Sequence, residues 1–245
     1  MLEPKKYMAS KKGRRKQVDV TKDFFCTPTF QIKDIKLTDK QRELVRLFKD
    51  GNCKVMFLSG VAGVAKTFSA VFTALLMLRE GIFEKIKYVR SLVESSQNKM
   101  GFLPGTGDID GKLAPYAGPL YDKFEELLQP YDSKRLMDEK TIEVLPPNFL
   151  RGTTFKNSFV IIDEAQNMPF SDLVTTISRI GENSIIVFCY DPMQKDIRNS
   201  GIEKMAKVFD DEESKENGIY SFGFTSDDIM RSSVLKFLMR KLESA

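Results

Sequence analysis

The stretch Gly60-Val61-Ala62-Gly63-Val64-Ala65-Lys66-Thr67 carries the residue types that hold a phosphate chain. Consecutive backbone N–H groups in a glycine-bearing turn surround phosphate oxygens, a lysine reaches the outer phosphates, and a threonine hydroxyl ligates magnesium. On this reading the run from Gly60 to Phe68 contacts nucleotide, with Lys66 as the cation and Thr67 as a metal ligand. Ala65 stands where the pattern G-x-x-x-x-G-K-[ST] has its last glycine. Alanine keeps its N–H, so the donors are all retained; if the position is left-handed, the methyl group costs about 1–2 kcal/mol. The alternative is an apolar strand-turn-helix joint with an incidental Lys-Thr pair.

A second set of chemical groups follows Phe159-Val160-Ile161-Ile162, an apolar run that ends in Asp163-Glu164. Parallel sheets bind ligands at the carboxyl ends of their strands. There Asp163 would hold magnesium and Glu164 would polarise an attacking water. Two acids after a strand also suit a helix N-terminus, so that alternative stays open. A third apolar run, Ile185 to Tyr190, ends in Asp191-Pro192-Met193-Gln194, where Gln194 could sense a γ-phosphate or simply belong to a turn. The chain has no histidine, which excludes Ser-His-Asp and Cys-His catalysis and His-ligated zinc.

These groups need a frame, and the hydrophobic pattern predicts one. Helices are expected over Lys40–Asp50, Lys66–Glu80, Ser171–Ile180, Gly201–Phe209 and Ser232–Leu242. Strands are expected over Lys54–Ser59, Ile86–Arg90, Phe159–Asp163, Ile185–Tyr190 and Tyr220–Phe224. Continuous apolar strands alternating with helices predict an α/β fold, a parallel sheet covered on both faces. Residues 95–147, with six prolines, read as an insertion at the sheet edge, and the acidic run Asp210 to Glu213 as an exposed connector.

The formal charge of +4 is unevenly spread. Residues 1–22 hold eight Lys/Arg against Glu3 and Asp19, a net +6, so residues 23–245 sum to −2. The first segment reads as a disordered basic arm suited to a phosphate backbone, or as a solvated tail. The remainder reads as a single domain. Three scattered cysteines and the lack of a long apolar run predict a soluble cytoplasmic protein without a leader or membrane contact.

The combination of Gly101-Phe102-Leu103-Pro104-Gly105, Pro119-Leu120-Tyr121-Asp122, Leu150-Arg151-Gly152-Thr153-Thr154-Phe155, Ile161 to Asn167, Ser178-Arg179-Ile180-Gly181 and Asp191 to Gln194 strongly resembles the PhoH family of P-loop ATPases. The resemblance spans about residues 36–240 and implies a RecA-like core related to superfamily 1 helicases. It also implies ATP and Mg2+ as cofactors, a homo-oligomeric ring, expected to be a hexamer, and coupling to single-stranded RNA, with DNA possible. By the same resemblance Gln41 looks like the adenine-reading glutamine; without it, Gln41 reads as an exposed helical residue. The chain departs from the family at Ala65, Ser91 and Tyr190.

Phosphoryl transfer gains from a positioned arginine. With one core per chain, Arg231 or Arg179 is the expected donor, supplied by a neighbouring subunit. Arg90 and Arg151 are candidate nucleic-acid contacts, with ordinary salt bridges as the alternative. The expected function is therefore ATP hydrolysis coupled to RNA binding or unwinding. Its rivals are a nucleotide-gated RNA-binding module with little turnover and, more weakly, a small-molecule kinase.

Overall fold

The computed structural model describes residues 28–91, 109–150, 152–194 and 197–244. The basic segment 1–22, part of the predicted insertion and Arg151 lie outside them. Six strands, β1 (Val55–Ser59), β2 (Lys85–Arg90), β3 (Ile142–Leu145), β4 (Ser158–Asp163), β5 (Ser184–Tyr190) and β6 (Ile219–Gly223), form one sheet in the order β3-β2-β4-β5-β1-β6. Every pairing is parallel. The helices are α1 (Asp39–Lys49), α2 (Lys66–Arg79), α3 (Ile109–Leu127), α4 (Pro130–Asp138), α5 (Phe170–Ile177), α6 (Ile202–Val208), α7 (Glu212–Glu216) and α8 (Ser233–Glu243).

The unbroken apolar strands follow from burial on both faces. In β4, Phe159 and Ile161 join the core beneath α1, α2 and α3, while Val160 and Ile162 join the core beneath α5 and α6. β5 alternates likewise, Val187 and Cys189 on the first face, Ile186 and Phe188 on the second. The expected parallel α/β fold is what forms.

The segment read as an insertion contributes two helices and a strand of the sheet. Pro115 and Pro119 both lie within α3, although proline in a helix interior costs about 3 kcal/mol. Ala117, Leu120, Phe124 and Leu127, spaced three and four residues apart, are all buried, and this apolar stripe outweighs the propensity. β3 was hidden by its length of four residues and its place at the edge, beyond β2. The acidic run expected as a connector starts α7, where Asp211 caps the helix by accepting from the Ser214 amide.

β3 is tied to its neighbour by charge as well as by the ladder. Glu143 accepts from Lys85 Nζ at 2.6 Å and from Lys87 Nζ at 2.5 Å. Burial pushes its carboxyl up, but the two lysines outweigh that and hold it below the usual carboxylate range. A depressed native pKa stabilises the fold above the unfolded value of about 4.3 and stops doing so as pH falls through the native value. Glu143→Gln is therefore expected to lower the unfolding free energy at neutral pH by no more than about 1 kcal/mol for a part-exposed cluster, read as a lower urea midpoint. The difference from wild type should shrink as pH falls below the unfolded value of about 4.3 and through the native one; a difference that does not change with pH would assign it to packing.

Candidate nucleotide-binding site

Residues 60–65 make the whole turn from β1 into α2. Gly63 has φ 86°, so the backbone favours glycine there; a Cβ would lie 2.6 Å from Leu235 Cδ2, and the end of that side chain would have to move aside. Ala65 is left-handed, at φ 63° and ψ 35°. Its carbonyl accepts from both the amide (2.9 Å) and the hydroxyl (2.7 Å) of Ser69, which holds the first turn of α2 in place. Ala65 provides no side-chain cap, so its methyl group sits in the strained region with no compensating bond. Ala65→Gly is expected to raise stability by about 1 kcal/mol at unchanged m-value, measured by urea unfolding.

Lys66 Nζ donates to the carbonyls of Gly60 (2.7 Å) and Val61 (3.0 Å), which holds the ammonium across the loop. One residue on, Thr67 Oγ1 donates to Asp163 Oδ1 at 2.8 Å, joining the loop to the end of β4. Asp163 Oδ2 accepts from the hydroxyl of Tyr88, a fully buried residue of β2, at 2.5 Å. Burial, then the charge of Asp163, pushes the Tyr88 phenol well above its ordinary range, so it remains a donor. The carboxylate is thus oriented by Tyr88 and meets Thr67 with its other oxygen. Two hard oxygen atoms side by side suit magnesium, which takes a few protein ligands and completes its shell with phosphate and water. Cys189 lines the same cleft, and burial keeps its thiol protonated.

Glu164 follows with φ 56° and ψ 39°, a strained conformation for a residue with a side chain. Gln166 Nε2 donates to Glu164 Oε2 at 2.6 Å, and Gln166 Oε1 accepts from the Asp191 amide at 3.1 Å. Gln166 is buried, so this amide rigidly links the ends of β4 and β5. On the other side of Glu164, the Arg90 guanidinium lies 3.7 Å from Oε1.

Lys66, Thr67, Asp163, Glu164, Gln166 and Cys189 line a cleft of about 410 Å³ with Ala62, Gly63, Ala65, Phe68, Gln194 and Arg231. Gly60, Val61 and Val64 are buried beneath it and shape the turn. Arg231 belongs to the cleft of its own chain. Arg179 sits at the opposite edge of the sheet, where its carbonyl accepts from Phe155 N ahead of β4 and its Nε donates to Thr175. Gln41 is buried rather than exposed. Its Oε1 accepts from Thr38 N (2.9 Å) in a capping box, and its Nε2 donates to Ser69 Oγ (3.3 Å), bridging α1 to α2 behind the loop.

A match to the family model described as PhoH-like protein covers residues 34–243. The chain belongs to the PhoH-like protein family. A PhoH-like protein of Synechocystis is 32% identical over 209 residues, covering 84% of this chain and 61% of the relative. One of Bacillus subtilis is 36% identical over 157 residues, covering 64% of this chain and 48% of the relative. This PhoH-like chain thus spans about half to three-fifths of the length of these relatives. Among solved structures, the large terminase of a thermophilic bacteriophage in complex with ADP superposes with a TM-score of 0.53 at 14% identity. The superposition covers 84% of this chain and 50% of the terminase. That likeness places the chain among P-loop folds.

Sequence reasoning missed several groups that the PhoH-like fold brings to this site. Tyr88 read as one more apolar strand position, and its neighbour across the sheet was not legible. Lys123 and Glu126 of α3 line the cleft as an ion pair of 2.5 Å, delivered by a helix the prolines concealed. Gln166 lay inside the Ile161 to Asn167 motif, which was the available signal.

Proposed function

We propose that this PhoH-like chain binds ATP with Mg2+ and hydrolyses it, and that turnover is coupled to single-stranded RNA. The observation that carries the reading is the 2.8 Å contact of Thr67 with Asp163. It joins two motifs 96 residues apart in a cleft shared with Lys66 and the loop amides. Lys66 and the loop N–H groups would bind phosphate oxygens, Thr67 and Asp163 the metal, and Gln194 the γ-phosphate. Bound magnesium would screen charge that develops during transfer. Glu164 would orient and polarise the water, held by Gln166 at a fixed distance from the loop.

The basic segment 1–22 supports an RNA partner through counterion release, and Arg90 and Arg151 are assigned contacts to the strand. DNA shares that chemistry and is the natural competitor. For a homo-oligomeric ring, here taken as a hexamer, support comes from α8, whose Val234, Phe237, Leu238 and Leu242 expose an apolar face beside the cleft. Arg179, at the sheet edge remote from its own cleft, suits donation to a neighbour, while Arg231 suits the chain's own nucleotide.

The test is magnesium-dependent ATP hydrolysis by the purified chain, with and without single-stranded RNA, alongside light scattering for the assembly. Hydrolysis stimulated by RNA supports the reading. A bare monomer in the presence of nucleotide and RNA discards the ring. The strained Ala65 favours a second reading, a nucleotide-gated RNA binder with little turnover. Under it ATP binds without hydrolysis, and Ala65→Gly raises the rate.

A further inference from the structure

We infer that Arg90 holds Glu164 in its resting position and is shared with the phosphodiester backbone of a bound single strand, so that strand binding releases Glu164. The inference deepens the proposed ATPase reading and rests on it.

Arg90 ends β2, in register with Asp163 of β4, at the carboxyl edge of the sheet. Among the described residues its guanidinium is poorly satisfied. Nη2 has only a loose ion pair with Glu164 at 3.7 Å, and Nε is buried without a hydrogen-bond partner among the described residues. A guanidinium offers five donors in a planar fork, and a buried donor left unmade costs about 1–3 kcal/mol. An oxyanion with several acceptors satisfies that fork better than one distant carboxylate oxygen does.

The side chain is 25% exposed, so such an anion can reach its open part, although Nε itself is buried. Arg90 does not line the nucleotide cleft, whereas Glu164 does. Glu164 therefore has two sides. One faces the cleft, and the other faces an arginine outside it whose Nε has no hydrogen-bond partner among the described residues. Its remaining restraint, the 2.6 Å bond from Gln166, is neutral and leaves the carboxylate charged. A phosphate that captures Arg90 removes the one cation paired with Glu164 among the described residues and lets the carboxylate turn toward water in the cleft.

Linkage makes this testable without turnover, because coupling between two sites is reciprocal. If Glu164 competes with a phosphate for Arg90, neutralising Glu164 must tighten strand binding, and must do so only while Arg90 is present. The measurement is fluorescence anisotropy of a labelled oligouridylate, with oligodeoxythymidylate as a second arm, titrated with four proteins. These are wild type, Glu164→Gln, Arg90→Gln and the double variant, all without nucleotide. Glu164→Gln is expected to tighten binding about 5-fold or more on both strands, and the double variant to bind as Arg90→Gln does. In ATPase assays, Arg90→Gln should raise the rate without RNA and abolish further stimulation, with nucleotide affinity retained.

Unchanged affinity in Glu164→Gln, or tightening that survives loss of Arg90, overturns the inference. Tightening confined to RNA overturns the phosphate assignment. If Arg90→Gln misfolds, Arg90→Met takes its place in the same four-protein comparison. Failure of the wild type to bind either strand defeats the proposed function itself, and is seen before any variant is made.

Discussion

Glu164→Gln is expected to leave ATP binding intact and to lower the rate of hydrolysis by about 10²–10⁴-fold, the range associated with removing a general base. The geometry supports so specific a loss. Gln166 donates to Glu164 Oε2, and the amide of the variant still presents a carbonyl oxygen to that donor. The left-handed backbone is unchanged by the swap, and the contacts of Lys66, Thr67 and Asp163 do not involve residue 164. What disappears is the negative charge proposed to polarise water. A coupled-enzyme assay measures the rate, and the anisotropy of a fluorescent ATP analogue measures affinity. A variant that hydrolyses at the wild-type rate removes Glu164 from the chemistry, and one that loses affinity makes it a binding residue.

Phe159→Ala is expected to be the most damaging core substitution, costing about 3–5 kcal/mol of stability. Phe159 lies on a central strand with its ring fully buried. It packs tilted against Phe48 of α1 at 5.4 Å between centroids and edge-on against Phe83 at 5.8 Å. Truncation removes both aromatic contacts and leaves a cavity between the sheet and two separate segments, which a rigid six-stranded sheet cannot close. Urea unfolding followed by circular dichroism reads the loss as a lower midpoint. A cost under about 1 kcal/mol would mean that the layer collapses to fill the space. The two variants also separate cause: Phe159→Ala should lose activity only as far as it loses folded protein, whereas Glu164→Gln should lose it while folded.

The loop from Gly60 to Thr67 and the acid pair were legible because each is contiguous. Gly60 to Thr67 must turn between a strand and a helix, and Asp163 must end an apolar strand, whatever else the chain does. Periodicity disclosed five of the six strands for the same reason, since burial on both faces writes an unbroken apolar run into each. The places where reading failed are those where distant packing overrules local preference. α3 forms through two prolines because Leu120, Phe124 and Leu127 have a core to enter, and β3 pairs because β2 offers it an edge and two lysines for Glu143.

The site divides along the same line. Amino-acid order alone proposed Lys66, Thr67, Asp163 and Glu164, since donor chemistry at adjacent positions matches what a phosphate site needs. Only the tertiary structure decided what holds those groups: Tyr88 behind Asp163, Gln166 and Arg90 on either side of Glu164, and Lys123 across the cleft. It also showed Gln41 bonded behind the loop and Arg231 in the cleft of its own chain. Contacts between residues tens of positions apart depend on strand order and register, and those are fixed by how the layers bury their apolar faces together.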